Sequence, residues 1–228
     1  MDISYYKKLL YSDKYSDIFS EFYSMVLSYN SKFNLTSITD KNEFYKKHFL
    51  DSIVGEKFID KNSYCCEIGS GAGFPSVPLM FIRSDLHFVL IESSRKKASF
   101  LNDVIKKFKL SAYVLNERAE TVGRMPSYRE SFDYCVIRGV ASLPVLLEYS
   151  SPLLSVNGYL LAYKSKVIEE INYSKKAMNE FHLFLEASEE FFLQDSNDFR
   201  TLLLFKKCRI LSNKYPRTVG APVRNPII

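Results

Sequence analysis

The chain has 228 residues, a length that suits one α/β domain with an appended segment better than two full domains. Hydrophobic residues make up 46% of the chain and aromatic residues 15%, so it can bury a sizeable core, which excludes a disordered protein. The formal net charge is +5, which is too small to indicate a nucleic-acid partner unless the charges are clustered.

The composition also bears on location and on metal binding. The first residues, MDISYYKKLLYSDKY, contain no continuous apolar segment for a signal peptide, and no later stretch is long enough to span a bilayer. The four cysteines form no CxxC pair, and with three histidines a zinc site is not expected. We predict a soluble cytoplasmic protein with reduced thiols, no metal and no membrane partner.

The N-terminal part of the chain has a helical pattern. Apolar side chains recur at helical spacing from 18 to 27 and again from 44 to 49. The stretch between them, NSKFNLTSITDKNE, has the composition of a loop, with Thr39 or Asp40 as the N-cap of the second helix. We predict an N-terminal helical section at residues 1–60.

After Asn62 short apolar runs alternate with helical patterns, which predicts right-handed crossovers and a parallel sheet. A short loop around QDSNDFR separates the last two predicted strands, so these two can form an antiparallel edge. We therefore predict an α/β fold with a mostly parallel, seven-stranded sheet. Its strands are predicted at residues 64–68, 86–91, 112–115, 134–137, 159–163, either 183–185 or 191–193, and 201–205.

The charge distribution changes near the end of the chain. From Lys206 to Ile228 there are six basic residues and no acidic one. We predict that residues 61–207 form the core and that residues 208–228 are a basic tail that can meet phosphates. A solvated terminus explains the charge alone equally well.

A glycine-rich loop follows the first predicted strand, where YCCEIGSGAGFPSVPL contains Gly69, Gly71 and Gly73. In an open parallel sheet this turn forms the floor of the ligand crevice, and glycines let a ligand lie against the main chain. Phe74 stands where a dinucleotide site has its third glycine, which disfavours a dehydrogenase. Glu67 precedes the loop and would repel a diphosphate, whereas it would attract the sulfonium of S-adenosylmethionine.

Two further features lie where a cofactor site with this glycine loop is expected to have them. Glu92 ends the next predicted strand, where a carboxylate that holds a ribose is expected. Ala119 and Glu120 follow the third predicted strand and can flank an adenine. Each acid alone could be a surface residue at a strand end, but together these features predict a nucleoside cofactor.

The chain resembles the RsmG/GidB methyltransferases, which use S-adenosylmethionine to methylate N7 of one guanine in bacterial 16S ribosomal RNA. The resemblance implies a Rossmann-like class I methyltransferase fold in which residues 61–207 bind S-adenosylmethionine. It extends over nearly the whole chain, in the segments KFNLTSI with Asn34, HFLDS with His48, EIGSGAGFPSVPL, FVLIESSRKKASFL, ERAE, VIRGVA, DFRTLLLF with Arg200, and KYPRTVGAPVRNPI.

The resemblance also implies a set of cofactor contacts. This chain has Ser76 where family members mostly have glycine, and Gly139 where they mostly have alanine. Neither difference removes a predicted contact. Together with the residues chosen from the sequence pattern, the predicted cofactor-binding residues are Gly69, Gly71, Gly73, Phe74, Glu92, Ala119, Glu120 and Arg138.

Guanine N7 has no proton to lose, so its methylation requires positioning and exclusion of water but no general base. The predicted catalytic residues are Arg138, which ends the fourth strand, with His48 and Asn34 by resemblance. We expect Arg138→Ala to abolish methylation without unfolding the protein, and Glu67 or Glu92 to screen the arginine charge. A structural salt bridge for Arg138 and a core position for His48 remain alternatives.

The predicted RNA contacts are basic residues that could follow a phosphate backbone, namely Arg118, Arg200, Lys214, Arg217 and Arg224. The expected partner is 16S rRNA, alone, in the 30S subunit or in an assembly intermediate, and the protein is expected to be a monomer. Two alternatives stay open. One is a small-molecule methyltransferase, which the basic tail disfavours, and the other is a non-catalytic protein that senses S-adenosylmethionine or binds ribosomes.

Overall fold

Seven strands form one sheet in the computed structural model, which describes residues 2–165, 167–193 and 198–228. The strands are β1 Tyr64–Ile68, β2 His87–Ile91, β3 Ala112–Leu115, β4 Phe132–Arg138, β5 Leu154–Lys164, β6 Leu183–Phe192 and β7 Phe199–Lys207. Their order across the sheet is β3-β2-β1-β4-β5-β7-β6. Strands β1 to β5 are parallel, whereas β7 is antiparallel to β5 and β6. The predicted mostly parallel, seven-stranded sheet is confirmed.

The predicted strand bounds match the structure in two strands, and a large difference occurs at β6, which forms one edge of the sheet. Strands β1 and β3 have the predicted bounds, but residues 183–185 and 191–193 are not alternatives, because β6 pairs with β7 from Leu183 to Phe192. The middle of β6 reads EASEE, the polar sequence of an exposed edge strand, so its apolar pattern is visible only at its ends. Residues 194–197 of the predicted loop lie outside the described residues.

The helices begin with an N-terminal group and continue between the strands. Asp40, one of the two predicted N-caps, accepts a hydrogen bond from the Glu43 N–H at 3.0 Å. In the described parts of the chain, no helix has the length and apolar character needed to cross a membrane. The α-helices are α1 Ser4–Leu10, α2 Ser16–Asn30, α3 Lys41–Phe44, α4 Asp51–Ile53, α5 Ser76–Ile82, α6 Arg95–Phe108, α7 Ala119–Val122, α8 Leu143–Ser150, α9 Ile168–Tyr173, α10 Lys175–Glu180 and α11 Ala221–Arg224, with a π-helix at Tyr45–Leu50 and a 3-10 helix at Val54–Phe58.

The N-terminal helices pack onto the sheet through aromatic side chains. Phe22 on α2 is fully buried and contacts the rings of Phe74, Phe81 and Phe108 at centroid distances of 5.6, 5.6 and 6.0 Å. Aromatic pairs of this kind contribute about 0.5–1.5 kcal/mol each beyond the burial of apolar area. The N-terminal section and the strand-helix core therefore share one hydrophobic core.

The C-terminal residues are also bound to the core. Arg129 donates hydrogen bonds to the carbonyl oxygens of Leu211, Ser212 and Tyr215, and the side chain of Tyr215 is buried. The boundaries predicted at residues 60 and 207 stay predictions.

The order in which the chain forms neighbouring strands reverses between β1 and β4, which are parallel neighbours. From β1 the chain proceeds outward through β2 and β3, and it then returns to β4 on the other side of β1. Ligands of open α/β sheets bind at the carboxyl ends of the strands at such a point. The loops after β1 and β4 are therefore the expected site.

Candidate cofactor and substrate site

The glycine loop after β1 has a backbone that most residues cannot adopt. Gly69 and Gly73 have φ angles of +68° and +86°. A Cβ atom on Gly69 would lie 2.7 Å from the Val140 side chain, and one on Gly73 would lie 2.6 Å from the Val77 side chain. Glycine is therefore required at both positions by the protein's own packing, besides any room that it leaves for a ligand.

Glu92, at the end of β2, is bound to the glycine loop. Its Oε2 accepts a hydrogen bond from the Gly71 N–H at 2.8 Å, and its Oε1 accepts one from the Ser94 N–H at 2.7 Å. Each carboxylate oxygen can accept a second hydrogen bond, so these contacts are compatible with the predicted contact to a ribose.

A cavity of about 190 Å³ lies beside the glycine loop, and we call it the loop cavity. Much of its wall is apolar, while Glu117, Arg118 and Glu120 contribute charges. It brings Gly69, Ala119 and Glu120 of the predicted cofactor set together. The residues that line it are Ile68, Gly69, Ile91, Ser93, Glu117, Arg118, Ala119, Glu120, Val140, Ala141, Tyr149 and Val223.

Glu67 is a buried carboxylate directly before the glycine loop. Its Oε2 accepts a hydrogen bond from the Ser76 hydroxyl at 2.5 Å, while its Oε1 has no hydrogen-bond partner among the described residues. Burial raises the pKa of Glu67 to about 7. Glu67 lines neither cavity, so it can act on a ligand there only through its charge, which favours a cation such as S-adenosylmethionine over a phosphate.

Arg138, at the end of β4, is bound by three groups of the N-terminal section. Its Nη1 donates to the Lys47 carbonyl oxygen and to Asp51 Oδ2, each at 3.0 Å, and its Nη2 donates to His48 Nδ1 at 3.1 Å. The charge partner of Arg138 is therefore Asp51, rather than Glu67 or Glu92 as expected from the sequence. Asp51 lies on α4, which the sequence pattern could not place opposite β4.

His48 is held as a neutral imidazole. Because its Nδ1 accepts from Arg138, its Nε2 carries the proton and donates to the Thr36 hydroxyl at 2.8 Å. Burial and the adjacent Arg138 cation lower the pKa of His48 to about 3. The ring stacks on Phe74 with 4.5 Å between centroids, and the Arg138 guanidinium lies 5.2 Å from the Phe74 centroid. With this lowered pKa, His48 is neutral near pH 7 and carries no extra proton to donate there.

A second, larger cavity of about 410 Å³ contains these groups, and we call it the basic cavity. Its lining includes four cations and one carboxylate, that of Asp51. Arg200 Nε lies 3.4 Å from Asp51 Oδ1, an oxygen that has no hydrogen-bond partner among the described residues. The lining residues are Ile38, Lys47, His48, Asp51, Arg138, Gly139, Ala141, Tyr163, Lys164, Ser165 and Arg200.

Asn34 is not brought into this site. It is exposed in the loop before α3, two residues from Thr36, and it does not line either cavity. The catalytic role predicted for Asn34 by resemblance stays a prediction.

The basic residues predicted to contact RNA have different environments. Arg200 lines the basic cavity, Arg118 and Arg224 are exposed, and Lys214 is exposed with an ion pair to Glu180. Arg217 instead binds an acid in the interior of the protein. Its guanidinium and backbone N–H donate to Glu148, whose side chain is 1% exposed.

The sequence did not predict three charged residues of the basic cavity, namely Lys47, Asp51 and Lys164. Asp51 belongs to the HFLDS segment and Lys47 directly precedes its histidine, so both stood beside a recognised motif. Lys164 ends β5 and gave no sequence signal, because its role depends on the alignment of β5 with β4. Elsewhere in the described chain, no group of three or more His, Cys, Asp or Glu side chains could hold a metal ion.

Solved structures share the fold. A SAM dependent methyltransferase from Aquifex aeolicus aligns with a TM-score of 0.55 at 13% identity, over 74% of this chain and 94% of that one. The cyclase SpnF aligns with a TM-score of 0.54 at 12% identity, over 70% and 80%. The fold is therefore shared by proteins of different activity, and the site must decide the reaction. The chain has the Rossmann-like fold of the class I, S-adenosylmethionine-dependent methyltransferases.

Sequence comparison gives the family, since residues 16–197 match the GidB model, described as rRNA small subunit methyltransferase G. The chain belongs to this family. It is 40% identical over 223 residues to a Lactobacillus helveticus protein named Ribosomal RNA small subunit methyltransferase G, covering 95% of this chain and 92% of that one. A Bacillus subtilis protein of the same name is 36% identical over 225 residues, covering 97% and 94%.

Proposed function

We propose that this protein methylates N7 of a guanine in small-subunit ribosomal RNA, with the adenosyl part of S-adenosylmethionine in the loop cavity and the target base in the basic cavity. The observation that carries the proposal is the junction of the two cavities. Ala141 lines both, while Val140 lines the loop cavity and Gly139 lines the basic cavity. Arg138 ends β4 directly before this junction.

The reaction requires positioning rather than proton transfer. When bound, S-adenosylmethionine supplies a methyl group on a positively charged sulfur. The N7 lone pair forms the new bond to the methyl carbon, the C–S bonding pair returns to sulfur, and no proton moves. A neutral His48 that is already hydrogen-bonded on both ring nitrogens agrees with a site without a general base.

Arg138 keeps guanidinium donors for the substrate. Its Nη1 donates to Lys47 and Asp51, and its Nη2 donates to His48. A guanidinium has five N–H donors, and the Nε–H makes no hydrogen bond among the described residues. This donor suits guanine O6 or a flanking phosphate, either of which leaves N7 free to react.

Glu67 and the buried surroundings supply the electrostatic balance. A cationic methyl donor and the Arg138 guanidinium would repel each other in a site from which water is excluded. Asp51 pairs with the arginine, and Glu67 is the carboxylate beside the glycine loop with a free oxygen. The two acids thus serve two different cations.

The cations of the basic cavity support an RNA substrate. Lys47, Lys164 and Arg200 surround the proposed base site. Each of the three has an acidic partner in the protein, which it would share or exchange on contact with phosphates on either side of an extruded nucleotide. The substrate is unpaired rRNA, within the 30S subunit or an assembly intermediate. We further propose that the protein acts in the cytoplasm as a monomer.

The test is methylation of rRNA by the purified protein. We would incubate it with labelled S-adenosylmethionine and 30S subunits from cells that lack the endogenous activity, in parallel with naked 16S rRNA, and map the label by aniline cleavage at N7-methylguanosine. Subunits from methylating cells serve as the matched control and should accept no label. We expect one labelled guanine.

The other outcomes discriminate the alternatives. Cofactor binding with no label in either form of rRNA would contradict the proposal and favour a sensor, and transfer to a small acceptor would favour a small-molecule methyltransferase. We also expect RNA affinity to fall steeply between low and moderate salt, because phosphate contacts release counterions. An affinity independent of salt would contradict the role of the basic cavity.

A further inference from the structure

The C-terminal segment, residues 211–228, reaches the loop cavity although it lies far from the cofactor motifs in sequence. Val223 on α11 lines this cavity together with Gly69 and Val140. Its side chain is 58% exposed, so it has apolar surface left to bury against a ligand in the cavity.

Two buried acids fix the C-terminal segment in this place. Glu120, one of the predicted cofactor residues, accepts a hydrogen bond from the Gly220 N–H at 2.9 Å and another from the Tyr149 hydroxyl at 3.2 Å. Glu148 accepts hydrogen bonds from the backbone N–H and the guanidinium of Arg217. Both acids are at most 4% exposed, so the segment is anchored by charged groups that have little contact with water.

Arg217 also fixes the far end of α11. Its Nη1 donates to the Asn225 carbonyl oxygen at 2.8 Å, so α11 is held between Gly220 and Asn225. A short helix gains little stability by itself, and these contacts are what define its position. Val223 is therefore presented at the cavity by a fixed backbone.

We infer that the C-terminal segment forms one wall of the cofactor site and that Val223 covers the adenine ring of S-adenosylmethionine. The inference rests on the proposed placement of the adenosyl group in the loop cavity. Ile68, Ile91, Ala119 and Val140 provide apolar surface for a flat base, and Val223 closes the same cavity. Its exposed methyl groups become buried when the base is present.

The chemistry of the cavity selects this occupant over a phosphate-bearing one. Two acids, Glu117 and Glu120, line it against one cation, Arg118, and the Glu67 carboxylate lies next to the loop, so the local charge opposes phosphates. An uncharged base attached to a cationic sulfur fits both the apolar walls and the acids.

The test compares two valines of the same segment. Val219 is 49% exposed and is not among the residues that line the loop cavity, so Val219→Ser is a matched control for Val223→Ser. We would measure the affinity for S-adenosylhomocysteine by calorimetry without RNA. We expect Val223→Ser to lose about tenfold in affinity, Val223→Leu to keep it, and Val219→Ser to stay within about twofold.

The outcomes separate this inference from the proposed function. Since both valines are exposed, all three variants should unfold at the wild-type temperature. Wild-type affinity in Val223→Ser, with intact methylation of rRNA, would overturn the inference and leave the proposed function standing. Equal losses in both serine variants would also overturn it, and failure of the wild-type protein to bind S-adenosylhomocysteine would overturn the proposed function itself.

Discussion

Arg138 donates a hydrogen bond to Asp51 at 3.0 Å, and this contact joins the end of β4 to the N-terminal helical section. The other carboxylate oxygen of Asp51 lies 3.4 Å from Nε of Arg200 on β7. Three distant parts of the chain meet at one side chain that is 6% exposed. The basic cavity therefore exists only when the N-terminal section is docked on the sheet.

This contact revises the expected effect of Arg138→Ala. Loss of the guanidinium leaves the buried Asp51 carboxylate without its main partner, so we expect the free energy of unfolding to fall by about 3 kcal/mol, besides the loss of methylation. Arg138→Lys keeps the charge but cannot contact Asp51, Lys47 and His48 together. We expect it to remain folded and to lose about 100-fold in single-turnover methylation rate.

Urea unfolding and a single-turnover assay check this prediction. Arg95→Lys on α6 is the control, since Arg95 is exposed and lines neither cavity, and it should change the free energy of unfolding by less than about 0.5 kcal/mol. Near-normal turnover in Arg138→Lys would show that Arg138 acts only as a charge.

Glu67→Gln tests how much the buried Glu67 carboxylate lowers the free energy of unfolding. Glu67 binds its proton more tightly in the folded protein, with a pKa of about 7, than in the unfolded chain, where the ordinary value is 4.5. Its contribution therefore makes the protein less stable as pH rises between these values, and the loss stays complete above them. We expect Glu67→Gln to be up to about 3 kcal/mol more stable than wild type near pH 8, and equal near pH 4.

The same variant should bind the cofactor less tightly, because it lacks the charge that attracts the sulfonium. Wild-type affinity for S-adenosylmethionine should rise from about pH 6 to about pH 8, and the affinity of Glu67→Gln should not. Denaturation curves and calorimetry at several pH values measure both effects. Parallel pH profiles for the two proteins would remove Glu67 from cofactor binding.

His48→Gln tests the neutral imidazole. His48 has a pKa of about 3 in the folded protein against the ordinary 6.5, so the unfolded chain binds more protons between these values, and the contribution of His48 to stability falls as pH drops below 6.5. Glutamine can accept from Arg138 and donate to Thr36 without charging. On acidification we expect the free energy of unfolding of His48→Gln to fall less than that of wild type, by a few kcal/mol. We expect no change in the pH dependence of methylation above neutral pH.

Chemical denaturation between about pH 4 and about pH 7 checks this prediction. In this interval Glu67 and His48 have opposite effects on stability, so the two single variants should show slopes of opposite sign. An equal slope in wild type and His48→Gln would mean that His48 has the same pKa in the folded and the unfolded protein.

Replacing Arg217 and replacing Lys214 should have different effects on stability, although the sequence predicts RNA contacts for both residues. Arg217→Ala leaves the buried Glu148 carboxylate without its cation. We therefore expect the free energy of unfolding to fall by about 3 kcal/mol. Lys214→Ala removes an exposed ion pair with Glu180 and should change the free energy of unfolding very little, because water screens such pairs.

Thermal unfolding and RNA binding by filter retention would be measured for both variants. If Arg217→Ala weakened RNA binding without lowering stability, Arg217 would have to release Glu148 to reach a phosphate. A stability loss as large in Lys214→Ala as in Arg217→Ala would contradict the distinction between a buried and an exposed pair.

Much of the fold follows from local patterns in the sequence. Strands β1 and β3 have the predicted bounds because their apolar runs end at turn residues, and the glycine loop is visible because positive φ angles require glycine at Gly69 and Gly73. Glu92 could be placed near that loop because the ends of adjacent parallel strands lie side by side.

The tertiary structure alone decided which charges pair. The sequence determined that Arg138 ends a central strand and that the C-terminal residues are basic, but not that Asp51 receives Arg138 or that Glu148 receives Arg217. These partners are 87 and 69 residues apart, and no local pattern encodes such a distance. They meet because helix packing on the sheet brings them together, and burial then leaves each cation with the acid that it can reach.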